Sequence, residues 1–216
     1  FEAVIGYLSA SIEWANSHGD KERWRSFWQS DEVKSYYFIG KDNIPFHTLI
    51  WPAMLMGTGK FNPPWSVVGG EYLTLENRKM SKSRGWFISI EDYLKNFEPD
   101  PMRYYLTAVA PLERDADFSV DEFIKRYNDE LADVLGNYVH RTLTFIERYY
   151  GGAVPKPGPL HIPEEDLLKL VEDAPVRLGN LFETFQVRRA CEELLKLAGE
   201  GNKYFNDAEP WRTRTQ

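Results

Sequence analysis

Residues 35–47 read Ser35-Tyr36-Tyr37-Phe38-Ile39-Gly40-Lys41-Asp42-Asn43-Ile44-Pro45-Phe46-His47. The aromatic and β-branched run through Ile39 has the composition of a buried strand. Gly40, Lys41 and Asp42 then make a tight polar turn, and residues 45–56 read as a helix. Strand, short turn and helix in that order is the repeating unit of a parallel α/β sheet. Nucleotides bind at the carboxy ends of strands in such sheets. Gly40 lets a ligand come close to the backbone there, and Asp42 is placed to accept ribose hydroxyls. Taken alone, the same residues also fit a plain polar turn.

Working outward, Ile5, Leu8, Ile12 and Ala15 recur at helical spacing until Asn16, His18 and Gly19 stop the pattern, which predicts a helix over 6–17. Trp24, Phe27 and Trp28 mark a second, short helix. Phe1 to Tyr7 reads as the end of a strand running into a helix with no capping sequence, as expected of a piece cut from a longer protein. Downstream, Ser66-Val67-Val68 is a short strand. Tyr72-Leu73-Thr74-Leu75 with the turn-prone pair Glu76-Asn77 predicts a hairpin. It delivers Lys79-Met80-Ser81-Lys82-Ser83-Arg84-Gly85.

That basic run places two lysines and two hydroxyls on what reads as a short mobile loop. A lysine ammonium is a compact charge on a flexible stem, able to follow phosphate charge as it shifts onto a leaving group. The chemistry suits holding ATP while pyrophosphate departs. A solvated basic turn is the competing description.

Beyond Gly85 the pattern is helical. Ser89 caps a helix to about Asn96, and Asp100 with Pro101 starts another. Ser119 and Glu122 form a capping box that opens the longest helix, whose apolar stripe includes Val120, Ile124, Tyr127, Leu131, Val134, Tyr138, Val139 and Phe145 and ends at Gly151-Gly152. Residues 153–163 are a Pro/Gly linker, and helices over 164–185 and 187–206 complete an antiparallel bundle. The fold class is therefore α/β followed by all-α, with domains at 1–118 and 119–216.

The net charge of −7 excludes a global basic field, so an RNA contact needs a local patch such as Arg78, Lys79, Lys82 and Arg84. A single cysteine, Cys191, excludes an internal disulfide or a cysteine-rich zinc site. It sits among leucines and reads as a small core residue. A reducing cytoplasm fits, and no apolar run approaches the roughly 18 residues of a membrane span. Asp115, Asp117, Asp121 and Glu122 read as favourable charges at a helix start.

GKDNIPFH (40–47), WPAMLMG (51–57) and KMSKSRG (79–85), followed by a helical bundle, resemble the methionyl-tRNA synthetases over essentially the whole chain. The resemblance implies a class I synthetase: a Rossmann catalytic domain, here its second half with the KMSKS loop, and an α-helical anticodon-binding domain. It implies activation of methionine by ATP, as the Mg2+ complex, and transfer to tRNA(Met). It places methionine against Ala3, Val4, Tyr7, Asn43 and His47 with Trp51 as aromatic support; Tyr7 and His47 would offer hydrogens to the thioether. It places ATP at Gly40, Asp42, Tyr72, Leu73 and Lys82, with Lys79 and Lys82 catalytic. Asn137, Arg141 and Trp211 would read the anticodon. The chain departs from bacterial members at Val4, where they carry proline, and at Asn43, where they carry isoleucine. The HIGH-type histidines and the zinc-binding cysteines of the family do not occur here, so no metal site is expected in this chain. Zinc and the amino-side half of the catalytic domain are expected in a missing part, and the piece alone is expected to be inactive. Leucine, isoleucine, valine and cysteine synthetases share the KMSKS loop but continue with Gly-Asn rather than Arg84-Gly85-Trp86. A tRNA-binding module without catalysis is the alternative of a different class, and the P-loop signature is absent.

Overall fold

The computed structural model describes residues 2–213, and they divide into two compact units, 2–73 with 111–116 and 74–110 with 117–213. Packing thus splits the chain at places other than a single cut near Phe118. Asp117 and Phe118 pair with Thr74–Asn77, which draws the KMSKS segment in with the helices.

In the first unit, α1 (Glu2–Ser17) and α2 (Arg23–Trp28) precede β1 (Tyr36–Gly40). Of the segment read as a strand end running into a helix, Phe1 lies outside the described residues and Glu2 to Tyr7 are already helical, so no strand precedes α1 among the described residues. A 3₁₀ turn (Lys41–Asn43) and a π-helical turn (Phe46–Ile50) lead into α3 (Trp51–Thr58), which stops at Gly59 in the left-handed region at φ 64°. The chain then returns as β2 (Ser66–Gly70), parallel to β1 in the register Tyr36↔Ser66 to Gly40↔Gly70. The predicted strand–turn–helix unit is present as a β–α–β crossover. Val4, Tyr37, Trp51 and Leu55 form its core. The strand is buried on one face only, for Phe38 is 64% exposed while Tyr37 points inward. Burial also holds the Tyr37 hydroxyl protonated, above its ordinary pKa.

The second unit opens on a tight turn. Leu75 and Arg78 exchange backbone hydrogen bonds of 2.9 and 3.0 Å around Glu76 and Asn77, both at positive φ (49° and 58°). Two left-handed residues are what a two-residue hairpin needs to match strand twist. β3 (Leu73–Leu75) pairs with β4 (Ala116–Phe118). Between them lie α4 (Ile90–Leu94), capped by the Ser89 hydroxyl, and α5 (Pro99–Ala108). The proline at the start of α5 is Pro99, two residues before the predicted start.

The predicted long helix is continuous from Val120 to Tyr150 but not uniform: α6 (Val120–Arg126), a ten-residue π-helical stretch (Tyr127–Gly136) and α7 (Asn137–Tyr150). Ile124, Tyr127 and Val139 of the expected stripe are 45–50% exposed, and the π turns shift the register from Tyr127 onward. Arg126 and Glu130 take inward positions instead, in a ladder Glu122–Arg126–Glu130 with contacts of 2.9 and 3.0 Å. The Tyr104 hydroxyl donates to Glu130 at 2.7 Å. α8 (Ile162–Glu183) and α9 (Val187–Ala208) are antiparallel, since Tyr204 near the end of α9 meets Glu164 at the start of α8, and Arg177 late in α8 meets Glu193 early in α9. Cys191 is buried on α9, and burial pushes its thiol pKa up. A short helix, α10 (Pro210–Thr213), follows. Among the described residues no helix is long and apolar enough to cross a membrane, and no cluster of side chains could hold a metal ion.

Candidate functional site

A cleft of about 430 Å³ opens between α1 and the turn after β1, lined by Ala3, Val4, Tyr7, Phe38, Ile39, Asn43, Phe46 and His47. Five of the six residues expected at the amino acid line it. Trp51 does not: it is 2% exposed, one layer behind Tyr7, with its indole N–H donating to the Tyr37 hydroxyl at 2.9 Å. Its ring meets Tyr7 at 6.3 Å and Trp28 edge-on at 5.8 Å. Trp51 is a backing residue of the wall. Phe38, Ile39 and Phe46 also line the cleft and were missed by sequence reasoning, although their places at the end of β1 and in the turn after it carried the signal.

The polar side of this cleft has a fixed proton order. His47 Nδ1 lies 2.9 Å from the Asn43 carbonyl, which can only accept, so Nδ1 carries the hydrogen. In the neutral imidazole Nε2 is then the acceptor for the Tyr7 hydroxyl at 2.8 Å. Both hydrogens expected to face a thioether are therefore used inside the protein. What remains is the Tyr7 oxygen, the Asn43 side chain and aromatic surface, a soft lining suited to a polarisable sulfur.

At the carboxy end of β1, the Tyr72 hydroxyl donates to Asp42, and Lys41 bridges Glu71 and Asp115 (3.1 Å) while its ammonium lies 4.2 Å over the Tyr72 ring. Asp115 also accepts the Tyr72 backbone N–H at 2.8 Å. The bond to Glu71 and then that to Asp115 push the Lys41 pKa up to about 12, while the Tyr72 N–H and then Lys41 hold the Asp115 carboxyl below its usual range. Asp115 is thus no helix-start charge. Asp117 is not one either: it takes the Thr74 hydroxyl and the Asn77 N–H (2.7 Å) at the hairpin. Asp121 and Glu122 do lie in the first turn of α6. Gly40 has an ordinary extended backbone (φ −70°) and open space where a Cβ would stand, so no neighbour in the chain demands glycine there. Leu73 is half-buried in β3.

The KMSKS segment is a closed ring rather than a free loop. Ser81 and Trp86 exchange backbone bonds of 2.8 and 3.0 Å, Lys82–Arg84 form a 3₁₀ turn inside, and Gly85 closes it at φ 65°. The Trp86 indole donates to the Leu75 carbonyl at 3.0 Å, and the Arg78 guanidinium covers its ring at 4.1 Å. Arg78 is spent on structure, whereas Lys79 and Lys82 are exposed and make no ion pair among the described residues.

On the bundle, a second cleft of about 330 Å³ is lined by His140, Arg141, Thr144, Phe145, Arg148, Tyr149, Phe205 and Trp211. Arg141 lies 4.7 Å over Phe205 and donates to Asn206 at 2.6 Å; Phe205 and Trp211 are 6.0 Å apart. Arg141 and Trp211 converge here, while Asn137 stands exposed one turn earlier on α7 and does not line the cleft. The helical spacing 141, 144/145, 148/149 was a readable signal for the missed lining residues.

The family model described as tRNA synthetases class I (M) matches residues 1–143. A methionine–tRNA ligase of Methanosphaera stadtmanae is 46% identical over 211 residues, covering 98% of this chain and 30% of the relative. One from Thermomicrobium roseum is 45% identical, covering 98% and 36%. The chain spans about a third of the length of such curated relatives. The Mycobacterium tuberculosis methionyl-tRNA synthetase, solved bound by methionyl-adenylate, superposes with a TM-score of 0.85 at 30% identity, covering 99% of this chain and 40% of that one. The first cleft, the KMSKS ring and the bundle occur in this order in a chain that belongs to the class I methionyl-tRNA synthetases.

Proposed function

We propose that this chain supplies the methionine cleft, the KMSKS loop and the anticodon-binding bundle of a methionine–tRNA ligase. The ligase activates methionine with ATP, as its magnesium complex, to methionyl-adenylate, and passes the methionyl group to the 3′ end of tRNA(Met). The observation that carries this reading is the convergence of Ala3, Val4, Tyr7, Asn43 and His47 on one cleft with an apolar, sulfur-tolerant lining. Asp42 and Tyr72 take the ribose and adenine, and Lys82 takes phosphate charge as the methionine carboxylate attacks and pyrophosphate leaves. Methionine-dependent pyrophosphate exchange by the full-length ligase tests it; a stronger response to leucine, isoleucine, valine or cysteine would overturn it.

Tyr7→Phe separates direct from indirect recognition. Because the Tyr7 proton is given to His47, the variant is expected to lower stability by about 1 kcal/mol. Its methionine KM should stay well within the roughly tenfold rise that losing a direct hydrogen bond brings. A tenfold or larger rise at unchanged stability would mean that the hydroxyl serves the sulfur.

In the bundle, Arg141 and Trp211 present a cation and an aromatic face to an unstacked base. Trp211→Ala is expected to reduce aminoacylation efficiency by an amount matching the ~1–3 kcal/mol of one base stack. Pyrophosphate exchange, which needs no tRNA, should be unchanged, and an equal loss in both assays would refute the assignment.

A further inference from the structure

We propose that Asp115 is a positioning residue for the nucleotide edge of the site. The inference rests on the reading of Asp42 and Tyr72 as ribose and adenine contacts. Asp115 lies 73 positions from Asp42 along the sequence but belongs to the same compact unit. One of its oxygens, Oδ1, receives both the Tyr72 backbone N–H at 2.8 Å and the Lys41 ammonium at 3.1 Å. Tyr72 is further held by its carbonyl, which accepts the Ala116 N–H at 2.9 Å, and by the Lys41 cation over its ring. A tyrosine fixed at its amide, its carbonyl and its face has its hydroxyl fixed as well. That hydroxyl is bound to Asp42 Oδ1. Asp42 thereby keeps one carboxylate oxygen engaged and presents Oδ2 in a set orientation, as a ribose diol requires.

Glu71 does not do the same work. Its side chain shares Lys41 but makes no hydrogen bond to Tyr72. Asp115 alone joins the cation and the tyrosine backbone, so removing its charge loosens two supports of one side chain. A misplaced Asp42 weakens nucleotide binding without altering the groups that act on phosphate.

The test uses the full-length ligase with Asp115→Asn, Tyr72→Phe and the double variant. Asp115→Asn is expected to raise the KM for ATP about tenfold, the effect of losing one charge-assisted hydrogen bond. The methionine KM, kcat at saturating ATP and the thermal midpoint should remain near the parent's. Tyr72→Phe should raise the ATP KM similarly, and the double variant should be no worse than the worse single one, because both act through the same contact to Asp42. An additive double variant, a fall in kcat, or equal rises in both KM values would overturn the positioning role. Asp42→Asn distinguishes the two levels. If it raises the ATP KM while Asp115→Asn does not, this inference fails and the nucleotide reading stands; if neither does, the reading of this edge fails and the inference with it.

Discussion

Lys82→Ala is expected to slow methionyl-adenylate formation on the order of 10²–10³-fold in the full-length ligase, the usual cost of removing one well-placed group that stabilises transition-state charge. Methionine affinity should be unchanged, because the cleft that would hold methionine contains no residue of this loop. The size of the effect follows from how the lysine is held. Lys82 opens a 3₁₀ turn inside a ring closed by Ser81 and Trp86, and that ring is anchored through the Trp86 indole to the Leu75 carbonyl. Its backbone is fixed while its ammonium remains exposed and without an ion pair among the described residues. Lys79 lies outside the ring, between the hairpin and the closure, so Lys79→Ala should cost less than Lys82→Ala. Lys82→Arg should recover only part of the rate, since a planar fork replaces a point charge. Pyrophosphate exchange and methionine binding by intrinsic fluorescence measure the two quantities separately, and equal exchange rates for variant and parent would end the catalytic assignment.

The parts of the fold that sequence pattern reached are those set by neighbours along the chain. Tyr36 to Gly40 as a strand, Glu76-Asn77 as a hairpin turn, Ser89 and Ser119 as caps, and the boundaries of α8 and α9 within two residues all depend on local chemistry. The π-helical stretch from Tyr127 to Gly136 was not legible, because a period of 3.6 was imposed on a segment whose half-buried positions include 126 and 130 as well as the apolar 131, 134, 135 and 138. Arg126 and Glu130 lie outside the expected apolar stripe, yet both are half-buried. Motif resemblance reached five residues that line the first cleft, Ala3, Val4, Tyr7, Asn43 and His47, but not Phe38, Ile39 or Phe46. The roles of Asp115 and Asp117 were not legible, for each acts on residues about 40 positions away, Tyr72 in one case and Asn77 in the other. Nor could pattern give the direction of the Tyr7–His47 proton, which the Asn43 carbonyl decides.

Trp51→Ala is expected to destabilise the fold by about 3–5 kcal/mol, the range for emptying a buried aromatic site. Total stabilities of ~5–15 kcal/mol make that a large share. Trp51 is 2% exposed at the centre of the Val4, Tyr37, Leu55 cluster, so its removal leaves a cavity that the two-stranded sheet cannot collapse to fill. It also strips the Tyr37 hydroxyl of its indole donor. Trp51→Phe then distinguishes a backing residue from a wall of the cleft. Phenylalanine keeps most of the volume and loses the N–H, so the urea midpoint should fall by the equivalent of about 1–3 kcal/mol for a buried polar group left without its partner. The methionine KM should stay near the parent's, because Trp51 does not line the cleft. A raised methionine KM at an unchanged midpoint would place the indole against the substrate instead. The same pair of measurements on Tyr7→Phe should show a smaller loss of midpoint, since Tyr7 is 41% exposed and its hydroxyl can be replaced at His47 by water.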